Sequence, residues 1–213
     1  MNALDIRLHL NRCHYPVRSL GYGRRVGIWL QGCTIHCPGC MVPETWTAQA
    51  RHEVQLGGLL ARLLPWLETC DGVTISGGEP FEQPDALFAL VVALRALIEG
   101  DILVYSGLPF QRLLRNHQAV VDAVDVVISE PFVNALRESN PILRGSSNQA
   151  VRLLTELARK RYAQWQEFPK IIGVAPTHDG LDLAGIPRPG ELASLVDRLD
   201  TPDRQAALTH AEI

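Results

Sequence analysis

Short apolar runs alternate along this chain with longer stretches whose apolar residues recur at helical spacing, and that alternation predicts most of the elements. Residues 26–30, Val-Gly-Ile-Trp-Leu, read as a buried strand, and 54–67 as an amphipathic helix with Pro65 near its end. A strand at 73–76 runs into the loop Gly77-Gly78-Glu79-Pro80. The helix at 84–98 opens on Pro84 and Asp85 and is closed by Gly100, the residue types that start and stop helices. Residues 102–105 predict a strand, 109–115 a helix, 124–128 a strand and 147–163 a further helix. The runs at 170–174 and 181–186 flank Thr177-His178-Asp179-Gly180, and Asp-Gly between apolar runs is a hairpin signal. Residues 189–199 predict a last helix, and the polar tail from Thr201 is expected to fray.

Strand and helix in strict alternation predict an α/β fold on a parallel sheet. Three chemically unusual loops each follow the C-terminal end of a strand: the segment from Gly32 to Cys40, the Gly77–Pro80 loop, and Ser106-Gly107. Parallel sheets place their sites at that edge. Hydrophobic residues make up 46% of the 213-residue chain and charged residues 20%, enough apolar content to bury a core and too much for a disordered chain. A single domain over residues 1–213 is expected, with a core over about 21–165 and a C-terminal extension over about 166–213. A formal net charge of −3 argues against a nucleic-acid or membrane-surface binder. No apolar run approaches the ~20 residues of a membrane span, and residues 1–10 lack the pattern of a secretory signal, so the cytoplasm is the expected location.

Five cysteines, unevenly spread, make a poor disulfide framework. Cys33, Cys37 and Cys40 form C-x3-C-x2-C, with Pro38 and Gly39 bending the intervening backbone. Thiolates this close can converge on one metal centre, and the chemistry is zinc or iron–sulfur. Structural zinc takes four ligands, and His36, adjacent to Cys37, is badly placed to be the fourth. A [4Fe–4S] cube on three cysteines leaves one iron open and reactive, unless Cys13 or Cys70 completes it. Each of those two also suits the part of a small buried hydrophobe.

Cys33-x3-Cys37-x2-Cys40 after one strand and Ser76-Gly77-Gly78-Glu79-Pro80 after the next resemble the radical S-adenosylmethionine (SAM) enzymes. Gly21-Tyr22-Gly23-Arg24-Arg25 is similar to the G-P-G-x-R of glycyl-radical-enzyme activases. Cys37-Pro38-Gly39-Cys40 with Pro43-Glu44-Thr45-Trp46, then Tyr105-Ser106-Gly107, then Arg144-Gly145-Ser146-Ser147-Asn148-Gln149, resemble the branch that activates anaerobic ribonucleotide reductase. Tyr22, Met41-Val42 and Ser129-Glu130 depart from that branch's pattern, and roughly fifty residues follow where its small members end.

The resemblance implies an incomplete (β/α)6-type barrel and one [4Fe–4S] cluster on Cys33, Cys37 and Cys40. It also implies reductive cleavage of SAM to a 5′-deoxyadenosyl radical. A glycyl radical enzyme would be the partner, and a flavodoxin- or ferredoxin-like protein the electron donor. Gly77 and Gly78 would let the backbone approach the methionine end of SAM, and Glu79 would accept from its ammonium group. Gly39, Cys40 and Met41 would lie against the adenine. Ser106 and Asn148 are candidates for the ribose or carboxylate, Arg25 for the carboxylate, and Trp46 for a packing anchor. A stand-alone enzyme acting on a peptide or small metabolite is the alternative, and a non-catalytic iron–sulfur or zinc module a further one.

Overall fold

The computed structural model describes residues 3–177 and 180–194. Its centre is a run of four parallel strands: β2 (Arg25–Leu30), β4 (Gly72–Gly77), β5 (Asp101–Tyr105) and β6 (Val126–Ser129). Their continuous apolar runs follow from burial on both faces. Side chains alternate as the pleat demands: Val26, Ile28, Ile102, Val104 and Val127 enter one core, while Leu103, Val126 and Ile128 enter a second on the other face. The first core is closed by α1 (Leu56–Leu67), α2 (Pro84–Arg95), α3 (Phe110–Asn116) and α4 (Gln118–Ala123). The second holds Ala158 and Tyr162 of α5 (Glu156–Tyr162).

Antiparallel strands extend both sides. β1 (Arg7–Val17) pairs with β2, and β3 (Glu53–Gln55) pairs with β1. β7 (Ala150–Leu153) pairs with β6. The sheet order is thus β3-β1-β2-β4-β5-β6-β7. Among the described residues the fold is a mixed α/β sheet in which four adjacent strands run parallel, as the sequence pattern predicts, with antiparallel strands added on both sides.

Three expectations change. The helix expected at 147–163 divides into β7 and α5, and the turn between them is capped by Thr155 Oγ1, which accepts from the Ala158 N–H at 3.2 Å. Ala-Val-Arg-Leu is too short for its period to separate strand from helix; pairing with β6 decides it. The helix expected from 54 begins at Leu56, because 53–55 pair with β1. β1 itself has no counterpart among the predicted elements, because Arg, His and Asn interrupt its apolar positions.

β8 (Gly173–Thr177) and β9 (Gly180–Ala184) form the expected antiparallel pair, with turn residues 178–179 outside the described residues. Of the last expected helix, 191–194 are helical and 195–199 lie outside the described residues, as does the tail from Thr201. Ala184 and Ile186 pack with Val17, Leu20 and Trp29, covering the face of β2 that α1 and α2 leave bare. No helix among the described residues is long and apolar enough to cross a membrane.

Candidate active site

The loop from Gly32 to Trp46 leaves the C-terminal end of β2 and is tied back to it at its root. The Gly32 N–H donates to the Thr45 carbonyl at 2.7 Å and the Cys33 N–H to the Trp46 carbonyl at 2.9 Å. Buried Gln31 bridges the two ends: its Nε2 donates to the carbonyls of Glu44 (2.7 Å) and Thr47 (2.9 Å). Within the loop, the Cys40 N–H donates to the Cys37 carbonyl at 3.0 Å. Gly39 is left-handed at φ +78° and lies against Phe132 and Asn134, where a Cβ would come within 3.1 Å of the Asn134 side chain.

The loop after β4 docks on this one. The Gly78 N–H donates to the Leu30 carbonyl (2.8 Å) and the Glu79 N–H to the Gly32 carbonyl (2.7 Å). A Cβ on Gly77 or Gly78 would overlap the backbone of Leu30 or Gly32, so glycine is required for the two loops to meet.

Glu79 is 1% exposed. Its Oε1 accepts from the Ser106 hydroxyl at 2.9 Å and the Phe81 N–H at 3.0 Å; its Oε2 accepts from the Gly107 N–H at 2.7 Å. Burial pushes its pKa up to about 7, against the hydrogen bonds that favour the anion. Glu79 therefore couples the loops after β4 and β5 while keeping acceptor capacity, since a carboxylate offers about four lone-pair sites.

These loops surround a cavity of about 380 Å³ at the C-terminal rim. That size is typical of a small-molecule site. Cys33, Cys37, Gly39, Cys40, Met41, Gly77, Gly78 and Glu79 all line it, so the structure brings these eight residues to one place. Ser106 lines it too, although its hydroxyl is spent on Glu79.

Arg25 and Asn148 belong elsewhere. Arg25 is fully buried at the opposite end of the sheet, paired with Asp101 at 2.8 Å. Asn148 donates to the Pro131 carbonyl at 2.8 Å and is not among the residues that line the cavity. Its neighbour Gln149 lines the cavity instead, and Gln149 Oε1 accepts from the Gly145 and Ser146 N–H groups at 2.8 and 3.1 Å. Gln31 carried no signal in the sequence because a buried amide bracket follows no fixed spacing, and Gln149 was visible only as the end of the Arg144–Gln149 stretch. Cys13 and Cys70 pack against the main core, away from the cavity, and burial pushes the Cys13 thiol up to about 12.

The three rim thiols are all unpaired and partly buried. Among the described residues no group of three His, Cys, Asp or Glu stands close enough to hold a metal ion as it is. The donor set still fits an iron–sulfur cluster: three soft sulfurs line one cavity, and Cys13 and Cys70 lie outside it. Trp46, which stacks on His36 at 4.5 Å, also lines the cavity. Its buried indole N–H has no acceptor among the described residues, and a cluster sulfide suits it.

An open-rimmed α/β sheet with three thiols and a glycine-lined loop at one cavity defines an iron–sulfur class of enzyme. The chain belongs to the 4Fe-4S single cluster domain family, whose profile matches residues 19–152, and to its radical SAM activating branch. It is 34% identical over 149 residues to the anaerobic ribonucleoside-triphosphate reductase-activating protein of Escherichia coli strain K12, covering 66% of this chain and 96% of that one. The protein of the same name from Haemophilus influenzae is 27% identical over 145 residues, covering 65% and 94%. The pyruvate formate-lyase-activating enzyme of Clostridium pasteurianum is 36% identical over 75 residues, or 33% of this chain and 32% of that one. The enzyme works with one [4Fe–4S] cluster and SAM.

Proposed function

We propose that this protein generates a glycyl radical on a partner of the anaerobic ribonucleoside-triphosphate reductase kind, in the cytoplasm, with Cys33, Cys37 and Cys40 holding the cluster. The observation that carries the reading is the meeting of three free thiols with the Gly77-Gly78-Glu79 loop at one cavity. Bound together, the cluster and SAM supply the one-electron cleavage that yields a hydrogen-abstracting 5′-deoxyadenosyl radical.

The chain's own residues bind, orient and exclude water. Gly77 and Gly78 bring backbone to the methionine end of SAM. Glu79, held by Ser106 and Gly107, accepts from its ammonium group with its remaining lone pair. Gly39, Cys40 and the partly exposed Met41 flank the adenine. Ile35, whose side chain lies against Gly107, and Phe132 help keep the cavity dry. A flavodoxin- or ferredoxin-like protein is the proposed electron donor. Chemistry on a peptide or metabolite without a glycyl radical partner is the competing reading, and the C-terminal residues that narrow the cavity are the observation favouring it.

The test is anaerobic. The protein is reconstituted with iron and sulfide, reduced with dithionite and given SAM, and 5′-deoxyadenosine is assayed with Cys37→Ala as control. Escherichia coli anaerobic ribonucleoside-triphosphate reductase is then added and the glycyl radical sought by electron paramagnetic resonance. Deoxyadenosine from the wild type alone, followed by a glycyl radical signal, is the expected result. A protein that takes up zinc and no cluster, or deoxyadenosine without a glycyl radical on any partner, would overturn it.

A further inference from the structure

The residues beyond the family match supply one side of the cavity. Ile172, Leu183, Ile186 and Leu192 line it with apolar surface, and Asp182 is the one carboxylate among them. The wall is pinned at its base, where Ser19 Oγ donates to the Ala184 carbonyl at 2.8 Å and Lys170 Nζ donates to the Ile186 carbonyl. At its far end Arg188 reaches the loop between β6 and β7: Nη2 and Nε donate to Asn140 Oδ1 at 2.7 and 3.2 Å. That loop in turn meets the cysteine loop through Phe132, Asn134 and Gly39. The rim is therefore a closed ring with an exposed clasp, Arg188–Asn140.

The cysteine and Gly-Gly-Glu loops both lie inside the matched residues 19–152. The Escherichia coli relative is aligned over 96% of its length, yet about a third of this chain has no counterpart in it. Holding the cofactors thus does not call for the added wall, and what the wall adjoins is whatever else enters the cavity.

We propose that residues 170–177 and 180–192 form a substrate-side wall, that the Arg188–Asn140 clasp sets its opening, and that it admits a slender extended peptide rather than a bulky group. The peptide class rests on the activating function above; the wall and clasp do not. The ring geometry and the apolar lining carry the inference.

The test uses the full chain in two arms. In the first, the apoprotein is labelled at Cys33, Cys37 and Cys40 with N-ethylmaleimide or with a polyethylene-glycol maleimide, and each site is followed by mass spectrometry. Arg188→Ala and, separately, Asn140→Ala are expected to speed the bulky reagent about five-fold, as loss of a charged hydrogen bond shifts an opening equilibrium. The small reagent is expected to change less than about two-fold. Equal bulky-reagent rates in wild type and both variants overturn the wall. In the second arm, reconstituted Arg188→Ala is given SAM alone and then the Escherichia coli reductase. Unstimulated deoxyadenosine formation within about two-fold of wild type, with a changed half-saturating reductase concentration, supports a wall that faces the substrate. SAM affinity falling in step overturns that assignment and gives the wall to the cofactor. A first arm that succeeds while wild type forms no glycyl radical separates failure of the activating function from failure of the wall.

Discussion

The two ends of the parallel sheet handle buried charge in opposite ways. At the N-terminal edge, Arg25 and Asp101 are both fully buried and satisfied several times over. Arg25 donates to Thr74 Oγ1 at 2.6 Å and to the Val73 carbonyl at 2.6 Å, and Asp101 accepts from Arg161 and from the Tyr162 hydroxyl at 2.7 Å each. Burial alone would raise the Asp101 pKa; Arg25, Arg161 and Tyr162 hold it below the ordinary carboxylate range. At the C-terminal rim, Glu79 is as deeply buried but meets only neutral donors, and its pKa rises. One carboxylate is locked into structure, and the other is left with unspent affinity for a cation. A buried acid without a countercharge, beside open thiols and glycines, is a site; a buried acid with two arginines is a brace.

Breaking the rim should have the larger functional effect and the smaller structural one. Replacing Cys33, Cys37 or Cys40 by Ala is expected to remove cluster absorbance and lower deoxyadenosine formation by at least about a hundred-fold. Thermal unfolding of the apoprotein should hardly move, since all three side chains are only partly buried. Iron content, product assay and a melting curve check the three parts.

Breaking the brace should do the reverse. Asp101→Leu leaves Arg25 buried without its partner, at an expected cost of about 3–5 kcal/mol in denaturant unfolding. Arg25→Met with Asp101→Leu is expected to recover a large part of that loss, because an apolar pair of similar volume avoids desolvating two ions. A double variant no more stable than the single one would show that the hydrogen bonds to Thr74, Val73 and Tyr162 matter more than the ion pair.

The two carboxylates also predict opposite pH signatures in the apoprotein. Asp101, depressed by folding, contributes stability above its unfolded pKa that is lost as pH falls through the acid range. Glu79 binds its proton more tightly folded than unfolded, so stability falls as pH rises from about 4.5 to about 7. A shift of that size corresponds to roughly 3 kcal/mol, and Glu79→Gln should flatten the neutral limb of a pH–stability profile while leaving the acid limb. The smallest effect belongs to exposed pairs far from either end. Arg7→Ala, which removes the exposed ion pair with Glu53, is expected to cost less than about 0.5 kcal/mol.

The rim was legible in the sequence because its chemistry is local. Cys33, Cys37 and Cys40 lie within eight positions, and the glycines before Glu79 sit at the end of a strand the apolar pattern already predicts. The brace was not legible. Arg25, Asp101 and Tyr162 come from distant parts of the chain, and nothing local separates a buried arginine from a solvated one. For the same reason Arg25 passed for a SAM ligand and Asn148 stood where Gln149 lines the cavity.

Hydrophobic periodicity by itself determined the alternating strands and helices of the centre, and residue spacing singled out the three thiols that line the cavity. Tertiary structure decided what those patterns leave open. It split residues 147–163 into strand and helix, because β6 offered an unpaired edge. It added β1, whose polar positions hide its period until β2 pairs with it. It turned the C-terminal residues from an unexplained addition into a side of the cavity. Local sequence encodes backbone preference and donor chemistry; which strand edge is satisfied, which charge is paired and which surface borders a cavity are settled only when distant segments compete for the same neighbours.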